Sequence, residues 1–262
     1  MSKVFVQPKA DLSSFYEFLK YAVEKNYNVE ITAFAYPHVL DGKWQELLKK
    51  YKLNLKNFKG VISTHGAFFD LIVASLDRKI AEVAAERIYH NLKIAKKLGA
   101  RYAVFHANYN ASIRGSWYRA KWVKVNAAFW KKVLKKYKIT ILLENFAEPA
   151  PDILRQLLDE VRSPRLKICL DTGHLNVYSE VSTGKWFSVL GKDICYMHIN
   201  DNNGKADTED IPGEGNISWR KMSENMIKIK PMVVFEVGTM EKTKKAIEYF
   251  KKHKLYPFNA EE

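Results

Sequence analysis

Residues 166–201 read LKICLDTGHLNVYSEVSTGKWFSVLGKDICYMHIND and contain two short apolar runs, Leu166–Leu170 and Ile194–Met197. The runs contain β-branched or aromatic side chains and lack regular polar alternation, which is typical of strands buried on both faces. The intervening Gly184–Leu190 fits a helix. The segment therefore predicts a strand–helix–strand unit with parallel strands, and histidine and acidic residues follow each strand.

The same alternation of apolar runs and amphipathic stretches extends in both directions from this segment. Eight runs are predicted strands: Val4–Val6, Val29–Ala33, Gly60–Thr64, Tyr102–Phe105, Ile139–Leu143, Leu166–Leu170, Ile194–Met197 and Met232–Phe235. Helices are predicted at Leu12–Lys25, Trp44–Lys50, Asp77–Leu98, Tyr118–Lys136, Pro151–Val161, Gly184–Leu190, Ser218–Lys228 and Lys242–Lys252. We expect Asp11 and Asp77 to cap helix N-termini, and Gly99 to follow the last turn of the long helix before the fourth strand.

This order of elements predicts an α/β fold, a (βα)₈ TIM barrel, with residues 1–262 forming a single domain. The length suits such a barrel, and no Pro/Gly/Ser-rich linker divides the chain. An open doubly wound sheet is the alternative. It requires a glycine-rich phosphate turn after the first strand, and residues 7–10 read QPKA instead.

The composition is that of a globular protein, with 47% hydrophobic and 27% charged residues. No apolar run approaches the roughly 18 residues of a membrane helix, and the start of the chain does not read as a signal peptide. We therefore expect no membrane association and a cytoplasmic location. Cys169 and Cys195 lie in apolar runs without a CxxC motif, so we expect free thiols that pack and have no catalytic role.

The chain is strongly basic: 43 Lys and Arg against 29 Asp and Glu give a formal net charge of +14. Such an excess permits binding to phosphate groups, whether on nucleic acid or on a small substrate. Many of the lysines form pairs within predicted helices, however, and we favour a solvated helix surface as the explanation.

Side chains of the kinds that bind metals follow six successive predicted strands. In chain order they are His65, His106, Glu144, Asp171 with His174, His198 with Asp201, and Glu236. In a barrel these positions converge at the C-terminal ends of the strands. Burying several carboxylates together is costly without a compensating cation. The pattern therefore predicts a divalent metal site.

The motifs around these residues resemble those of the xylose isomerase-like TIM barrel superfamily. They are THGAFFDL (64–71), VFH (104–106), LEN (143–145), LDTGH (170–174), HINDNNG (198–204), PGEG (212–215) and FEVG (235–238). They occur in the order typical of that superfamily and span most of the chain. The superfamily includes sugar and sugar-phosphate isomerases and epimerases, and also the endonuclease IV enzymes, AP endonuclease family 2.

The resemblance implies a principal metal site with four ligands, Glu144, Asp171, His198 and Glu236. His65 and His106 match two histidines that hold a second metal, together with the shared glutamate, in the endonuclease branch. His65 is also expected to contact substrate if the chain is an epimerase. The metal itself is left open as Mn, Zn, Co or Mg, because the donor set does not choose among them.

His174 matches a histidine that contacts substrate in the epimerases and binds a third metal in the endonucleases. That branch also uses an Asp-x-His pair just before the GEG motif. Here Asp207 fits the pair, but Glu209 stands where the histidine is expected. We therefore expect at most two metals per chain, with His174 contacting substrate or water.

A segment after the fourth strand, residues 108–122, mixes aromatic and cationic side chains. If it lies on the catalytic face, Trp117 can stack against a sugar ring and Arg114 can hold a phosphate. The same mixture also suits a DNA-binding loop. Lys205 is a further candidate phosphate contact beside the site.

Three other residues near these motifs carry weaker expectations. Tyr118 and Trp122 are four positions apart and are expected to begin the apolar stripe of the next helix. Glu30 lies inside the second predicted strand and is expected to point into the barrel mouth.

The function implied is that of a metal-dependent sugar or sugar-phosphate isomerase or epimerase. A metal bound to a substrate carbonyl acidifies the neighbouring carbon. Glu144 and Glu236, the expected catalytic residues, can flank that carbon, one removing a proton and the other returning one.

Two other classes of function stay open. The first is an endonuclease IV-type AP endonuclease with nucleic acid as partner, favoured by His65, His106 and the charge of +14. The second is a non-catalytic metal-binding or sugar-sensing barrel. It is disfavoured because the principal ligand set is complete.

Overall fold

The computed structural model describes residues 2–259, in which eight parallel strands close into one barrel in chain order. The strands are β1 (Val4–Val6), β2 (Asn28–Ile31), β3 (Ile62–His65), β4 (Tyr102–His106), β5 (Thr140–Glu144), β6 (Leu166–Asp171), β7 (Ile194–Ile199) and β8 (Met232–Phe235). β8 pairs with β1 through Val4–Val233, Phe5–Val234 and Val6–Phe235, which closes the sheet. The predicted (βα)₈ barrel is confirmed.

Helices connect the strands and cover the outside of the barrel. They are α1 (Leu12–Lys25), α2 (Pro37–Leu40), α3 (Trp44–Leu55), α4 (Arg78–Leu98), α5 (Ser116–Lys136), α6 (Asp152–Val161), α7 (Thr172–Tyr178), α8 (Thr183–Leu190), α9 (Trp219–Ile229) and α10 (Met240–Lys252). Their buried faces form a continuous hydrophobic layer against the strands. Tyr118 and Trp122 lie in this layer, as their spacing predicts.

The helix ends follow the expected capping chemistry. Asp11 accepts a hydrogen bond from the Ser14 backbone N–H at 2.8 Å, and Asp77 accepts one from Lys79 at 2.8 Å. Gly99 ends α4 with a φ of +74°, a conformation that glycine adopts without steric cost. Both N-caps and this C-cap agree with the sequence-based expectation.

A second, smaller apolar cluster fills the inside of the barrel. It consists of Phe5, Val104, Leu142, Cys169, Tyr196 and Val234. Side chains two positions apart on a strand point to the same face. The residues two positions after five of these therefore also face the barrel axis, at its C-terminal end. They are His106, Glu144, Asp171, His198 and Glu236.

The strands differ from the prediction chiefly at their C-terminal ends. The apolar runs predict strands that stop before the polar residues, whereas β4, β5 and β6 include His106, Glu144 and Asp171. The reason is that the parallel ladder continues, with His106 opposite Glu144 and Asp171 opposite His198. A polar side chain that points into the barrel mouth leaves the backbone of its own strand able to continue the pairing.

The short helix α7 has no counterpart among the predicted helices. It begins directly after β6, and the Asp171 carboxylate caps it by accepting a hydrogen bond from the His174 backbone N–H at 2.6 Å. The LDTGH motif is thus a strand-to-helix junction. Its length of seven residues is too short to produce a clear amphipathic period.

Among residues 2–259, no helix combines the length and the apolar character needed to cross a membrane. Cys169 and Cys195 are both free, as expected; Cys169 is buried and Cys195 is partly buried.

Candidate metal centre

A cavity of about 850 Å³ opens at the C-terminal ends of the strands. His65, His106, Glu144, Asp171, His174 and Glu236 all line it. His198, the remaining sequence-predicted ligand, lies within the same cluster but is fully buried. The strand-end residues singled out as ligands from the sequence are therefore brought together at one place.

The first close group of potential metal ligands contains Glu144, Asp171, His198 and Glu236, and their donor atoms lie within 4.8 Å of one another. The His198 Nδ1 atom is 2.7 Å from Glu236 Oε2 and 3.1 Å from Glu144 Oε1. Three carboxylates and one imidazole from four strands thus surround one point. Such a mixed N/O set suits Zn²⁺ or Mn²⁺.

The second close group contains His65, His106 and Glu144. His65 Nε2 lies 3.0 Å and His106 Nε2 lies 3.4 Å from the Oε2 atom of Glu144. The other oxygen of this carboxylate, Oε1, faces the first group. Glu144 therefore joins the two groups, one oxygen to each.

Burial of these charges strongly changes their protonation. Burial raises the pKa of Asp171 to about 7, and the charges of Glu144 and Glu236 add to this effect. Burial opposes the charging of His65, but the hydrogen bond to Glu144 and the charges of Glu144, Glu30 and Glu236 together outweigh burial and raise its pKa to about 9. Burial lowers the pKa of His106 to about 3.

The raised pKa of Asp171 indicates that carboxylates are crowded together in this part of the cluster. Asp171 is driven towards its neutral form because it is desolvated beside two other carboxylates. A divalent cation bound among these oxygens would supply the missing positive charge. The donor atoms and their electrostatics therefore fit a metal ion.

Cys169 lies in a third close group, with Glu144 and His198. It belongs to the apolar cluster inside the barrel, and burial raises the pKa of its thiol well above the ordinary value. Its packing therefore agrees with the expectation. The absence of a catalytic role stays a prediction.

His174 lies at the rim of the cluster. Its Nδ1 atom is 2.9 Å from the Asn145 carbonyl oxygen, and its Nε2 atom is 3.1 Å from Asp207 Oδ2. Glu209 also lines the cavity, and burial raises its pKa to about 7. Among the described residues, the close ligand groups do not include His174, Asp207 or Glu209.

Asp201 follows β7 but does not join the metal cluster. Its Oδ2 atom accepts hydrogen bonds from the Trp219 indole N–H and the Gly213 backbone N–H, both at 2.8 Å. Its Oδ1 atom accepts one from the Ile217 backbone N–H at 3.2 Å. Asp201 therefore organises the loop that carries Asp207 and Glu209.

Aromatic rings form one wall of the cavity. Phe68 and Phe146 stack near His106, with ring centroids 5.1 Å and 5.3 Å from the imidazole. Tyr36 and Tyr109 extend the wall. These residues were not predicted from the sequence as site components, although Phe68 and Phe146 lie within three positions of His65 and Glu144.

Three residues proposed from the sequence as substrate contacts do not line this cavity. Arg114 and Lys205 are exposed, and Trp117 is 57% exposed with its ring against Tyr118. The loop after β4 turns outward before residue 114, so only Asn108, Tyr109 and Asn110 from that loop line the cavity. Arg114, Trp117 and Lys205 therefore lie outside this cavity, and their contact with substrate stays a prediction from the sequence.

Glu30 points into the barrel, but it lies below the cavity lining and not in the mouth. It is fully buried, with an Oε1 atom 3.0 Å from His198 Nε2. Gln7 bridges Glu30 and Glu236, and the sequence analysis assigned it no role. The signal available in the sequence was that Gln7 is a polar residue directly after the buried strand β1.

A family model described as xylose isomerase-like TIM barrel matches residues 21–253. An uncharacterised protein of Methanocaldococcus jannaschii is 26% identical over 191 residues, which cover 69% of this chain and 65% of that protein. The chain thus spans just under two thirds of this relative. A probable endonuclease 4 of Aquifex aeolicus is 25% identical over 183 residues, covering 62% of this chain and 64% of that protein.

Solved structures share the whole barrel. A D-tagatose 3-epimerase-like protein superposes with a TM-score of 0.78 at 24% identity, over 96% of this chain and 97% of that one. A Thermus thermophilus protein soaked with zinc chloride has a TM-score of 0.77 at 21% identity, with coverage of 96% and 97%. At these identities the likeness shows the fold.

Proposed function

The chain belongs to the xylose isomerase-like TIM barrel family, and from this premise we propose that it is a metal-dependent isomerase or epimerase of an uncharged sugar. The observation that carries the proposal is the meeting of two close ligand groups at Glu144, at the bottom of a cavity walled by aromatic rings. Epimerases and a zinc-soaked protein among the structural neighbours support the same class.

In this proposal Glu144, Asp171, His198 and Glu236 hold the principal metal, and His65 and His106 complete a second site with Glu144. A bound divalent cation polarises a substrate carbonyl and makes the adjacent carbon more acidic. Glu144 ends β5 and Glu236 directly follows β8, and their carboxylate oxygens lie in the same close group. One accepts the proton from the carbon and the other returns a proton from the opposite face.

His174 is the residue we propose to bind a substrate hydroxyl. It lines the cavity, and its Nε2 atom already contacts the Asp207 carboxylate at 3.1 Å. The Asp171 and Glu144 carboxylates raise the pKa of His174 against the effect of burial. A charged imidazole at this position donates a hydrogen bond to a sugar oxygen.

The charge of the cavity supports an uncharged sugar over a sugar phosphate. Seven of the described lining residues are Asp or Glu, whereas Lys9 is the one Lys or Arg among them. One divalent cation would leave this lining negative. A phosphate group would meet repulsion there, whereas hydroxyl groups can donate hydrogen bonds to carboxylates.

The aromatic wall supports the same substrate class. Phe68, Phe146 and Tyr109 line the same cavity as the carboxylates. A sugar has apolar C–H faces as well as hydroxyl edges, so it can pack against rings on one side and donate hydrogen bonds on the other.

AP endonuclease activity is the second candidate, favoured by one observation. His65, His106 and Glu144 form the compact second group that the endonuclease branch uses. The acidic lining and the exposed positions of Arg114 and Lys205, away from the cavity, argue against a DNA phosphate backbone in this mouth.

A paired assay distinguishes the two functions. The protein is loaded separately with Mn²⁺, Co²⁺, Zn²⁺ or Mg²⁺ and incubated in deuterated water with ketoses, ketose phosphates or abasic-site duplex DNA. We expect deuterium next to the carbonyl of an unphosphorylated ketose, lost in the Glu236→Gln variant and retained in Trp117→Ala. Strand scission without deuterium incorporation would instead support the endonuclease.

A further inference from the structure

A buried carboxylate lies behind the candidate metal centre and has no part in the proposed chemistry. Glu30, on β2, is fully buried and does not line the cavity. Both of its carboxylate oxygens nevertheless contact neighbouring polar side chains. Oε1 lies 3.0 Å from His198 Nε2 and accepts a hydrogen bond from Gln7 Nε2 at 2.9 Å.

The second oxygen of Glu30, Oε2, is held by two hydroxyl groups. Tyr196 donates its hydroxyl hydrogen to Oε2 at 2.9 Å, and the Ser63 hydroxyl lies 3.3 Å from the same atom. Tyr196 and Ser63 also contact each other at 2.6 Å. A carboxylate held on both oxygens has little rotational freedom, so its position relative to His198 is defined.

The two nitrogens of His198 face different partners. Nδ1 lies 3.1 Å from Glu144 Oε1 and 2.7 Å from Glu236 Oε2, inside the first ligand group. Nε2 faces Glu30. A neutral imidazole that keeps its hydrogen on Nε2, next to the carboxylate, presents the lone pair of Nδ1 to the ligand group. Only this tautomer can bind a metal there.

Gln7 connects the same carboxylate to a second ligand. Its side-chain amide donates one hydrogen bond to Glu30 Oε1 and another to Glu236 Oε1, each at 2.9 Å. The Oε2 atom of Glu236 is the one that approaches His198. Glu30 therefore restrains two of the four residues in the first group: His198 by direct contact, and Glu236 through Gln7.

We propose that Glu30 is a positioning residue: it sets the tautomer of His198 and, through Gln7, the orientation of Glu236, and thereby determines the affinity of the principal metal site. The inference rests on the proposed metal-dependent function. A carboxylate or other polar partner beside the second nitrogen of a ligating histidine typically contributes about 10- to 100-fold in metal affinity. Glu30 touches neither the cavity nor the substrate, so its effect is on the metal and not on proton transfer.

The test is Co²⁺ and Zn²⁺ binding by the full chain, measured calorimetrically and, for Co²⁺, by the visible ligand-field spectrum. Glu30→Gln keeps the size of the side chain and removes its charge; we expect metal affinity about 10-fold weaker or more, with an altered Co²⁺ spectrum. Gln7→Leu, which removes the bridge to Glu236, is expected to have a smaller effect in the same direction.

The matched control is Glu148→Gln. Glu148 is also a fully buried carboxylate at the barrel mouth, but it accepts hydrogen bonds from the backbone N–H groups of Phe146 and Tyr109. We expect this variant to keep metal affinity within about threefold, well inside the range assigned to a positioning residue. Thermal unfolding of the metal-free variants identifies any general loss of structure.

The outcomes separate the inference from the proposed function. Wild-type protein that binds metal, with folded Glu30→Gln binding equally well and giving the same spectrum, would overturn the positioning role and leave the function standing. Equal losses in folded Glu30→Gln and Glu148→Gln would also overturn it. Wild-type protein that binds no divalent metal would overturn both.

Discussion

Glu144 has a different role from each of the other acidic residues in the barrel mouth because its two oxygens face different partners. Oε1 lies 3.1 Å from His198 Nδ1, whereas Oε2 lies 3.0 Å from His65 Nε2. Its pKa is held well below the ordinary value because the charges of His198 and His106 outweigh its burial. A fully ionised carboxylate that faces two ligand groups is suited to bridge two metals.

Replacing Glu144 therefore tests both groups at once. Glu144→Gln keeps the shape of the side chain but removes its charge, so we expect metal affinity to fall by at least about 100-fold, beyond the loss assigned to residues outside the ligand set. Elemental analysis after dialysis measures the bound metal. Glu148→Gln is the control and should retain it; unchanged metal content in Glu144→Gln would exclude Glu144 as the shared ligand.

Metal affinity should rise with pH. In the metal-free protein the pKa of His65 is raised to about 9 and that of Asp171 to about 7. At neutral pH these residues therefore hold protons that a metal must displace. Affinity falls as the pH drops below these values, by up to about tenfold per pH unit for each displaced proton. Calorimetric titration between about pH 6 and pH 9 measures the slope, and a flat profile would contradict the proton displacement.

At the scale of whole elements, the loop between β4 and α5 decides which of its aromatic residues reach the cavity. Tyr109 lines the cavity, whereas Trp117, in the first turn of α5, is exposed. The sequence shows that both belong to one aromatic and cationic segment. It does not show where the loop turns outward, because that depends on contacts such as the Asn108 side-chain hydrogen bond to the Leu71 carbonyl at 3.0 Å.

Because this loop turns outward, variants of its exposed residues can be compared with a variant of a residue that lines the cavity. We expect Arg114→Ala and Trp117→Ala to change kcat/KM less than about twofold, because neither side chain reaches the cavity. Phe146→Ala should lower kcat/KM roughly 10-fold or more, because it removes ring contact with substrate, an effect of about 1.4 kcal/mol or more. Steady-state kinetics on the best ketose measures both. A large effect of Trp117→Ala would place the substrate on the outer loop.

An ion pair cluster on the outside of the barrel joins three elements. Asp193, just before β7, contacts Lys167 of β6 at 2.6 Å and Arg155 of α6 at 2.7 Å. Burial raises the pKa of Asp193, but the hydrogen bonds to Lys167 and Arg155 outweigh burial and hold it below its ordinary value of 3.8. The stability contributed by this carboxylate is therefore present above that value and lost as the pH falls through the lowered pKa.

The Asp193→Asn variant should follow this pH dependence. We expect its free energy of unfolding to be about 0.5–1 kcal/mol lower than that of the wild type at about pH 7, the size typical of partly exposed ion pairs. The difference should shrink at a pH below the lowered pKa of Asp193, where the wild-type carboxylate is protonated. Urea unfolding at both pH values measures it. A constant difference would indicate that packing, not charge, is responsible.

At the scale of the whole molecule, the distribution of charge matters more than its total. The formal net charge is +14, yet seven of the described residues lining the mouth are acidic and Lys9 is the one Lys or Arg among them. The formal net charge taken alone permits binding to phosphates. The basic residues, however, are largely on the helices and away from the cavity. The acidic mouth therefore suits cations and hydroxyl groups.

The fold was predictable because each strand and helix carries its own local pattern, and the order of the elements determines the barrel. The cluster of candidate ligands was predictable because period-two alternation places His106, Glu144 and Asp171 on the axis, each two positions after a buried interior residue. Glu30 and Gln7 were assigned no such role, since their importance arises from contacts across the barrel to His198 and Glu236. Contacts between distant strands leave no local pattern.

Anomalous X-ray diffraction from crystals loaded with Mn²⁺ or Zn²⁺ tests the metal centre most directly. Data collected at the absorption edge of the metal locate it independently of any assumed ligand. We expect a peak bounded by Glu144, Asp171, His198 and Glu236, at roughly 2.0–2.2 Å from their donor atoms if the metal is zinc. A well-ordered barrel with no peak at that position, or with its metal bound elsewhere, would contradict the account.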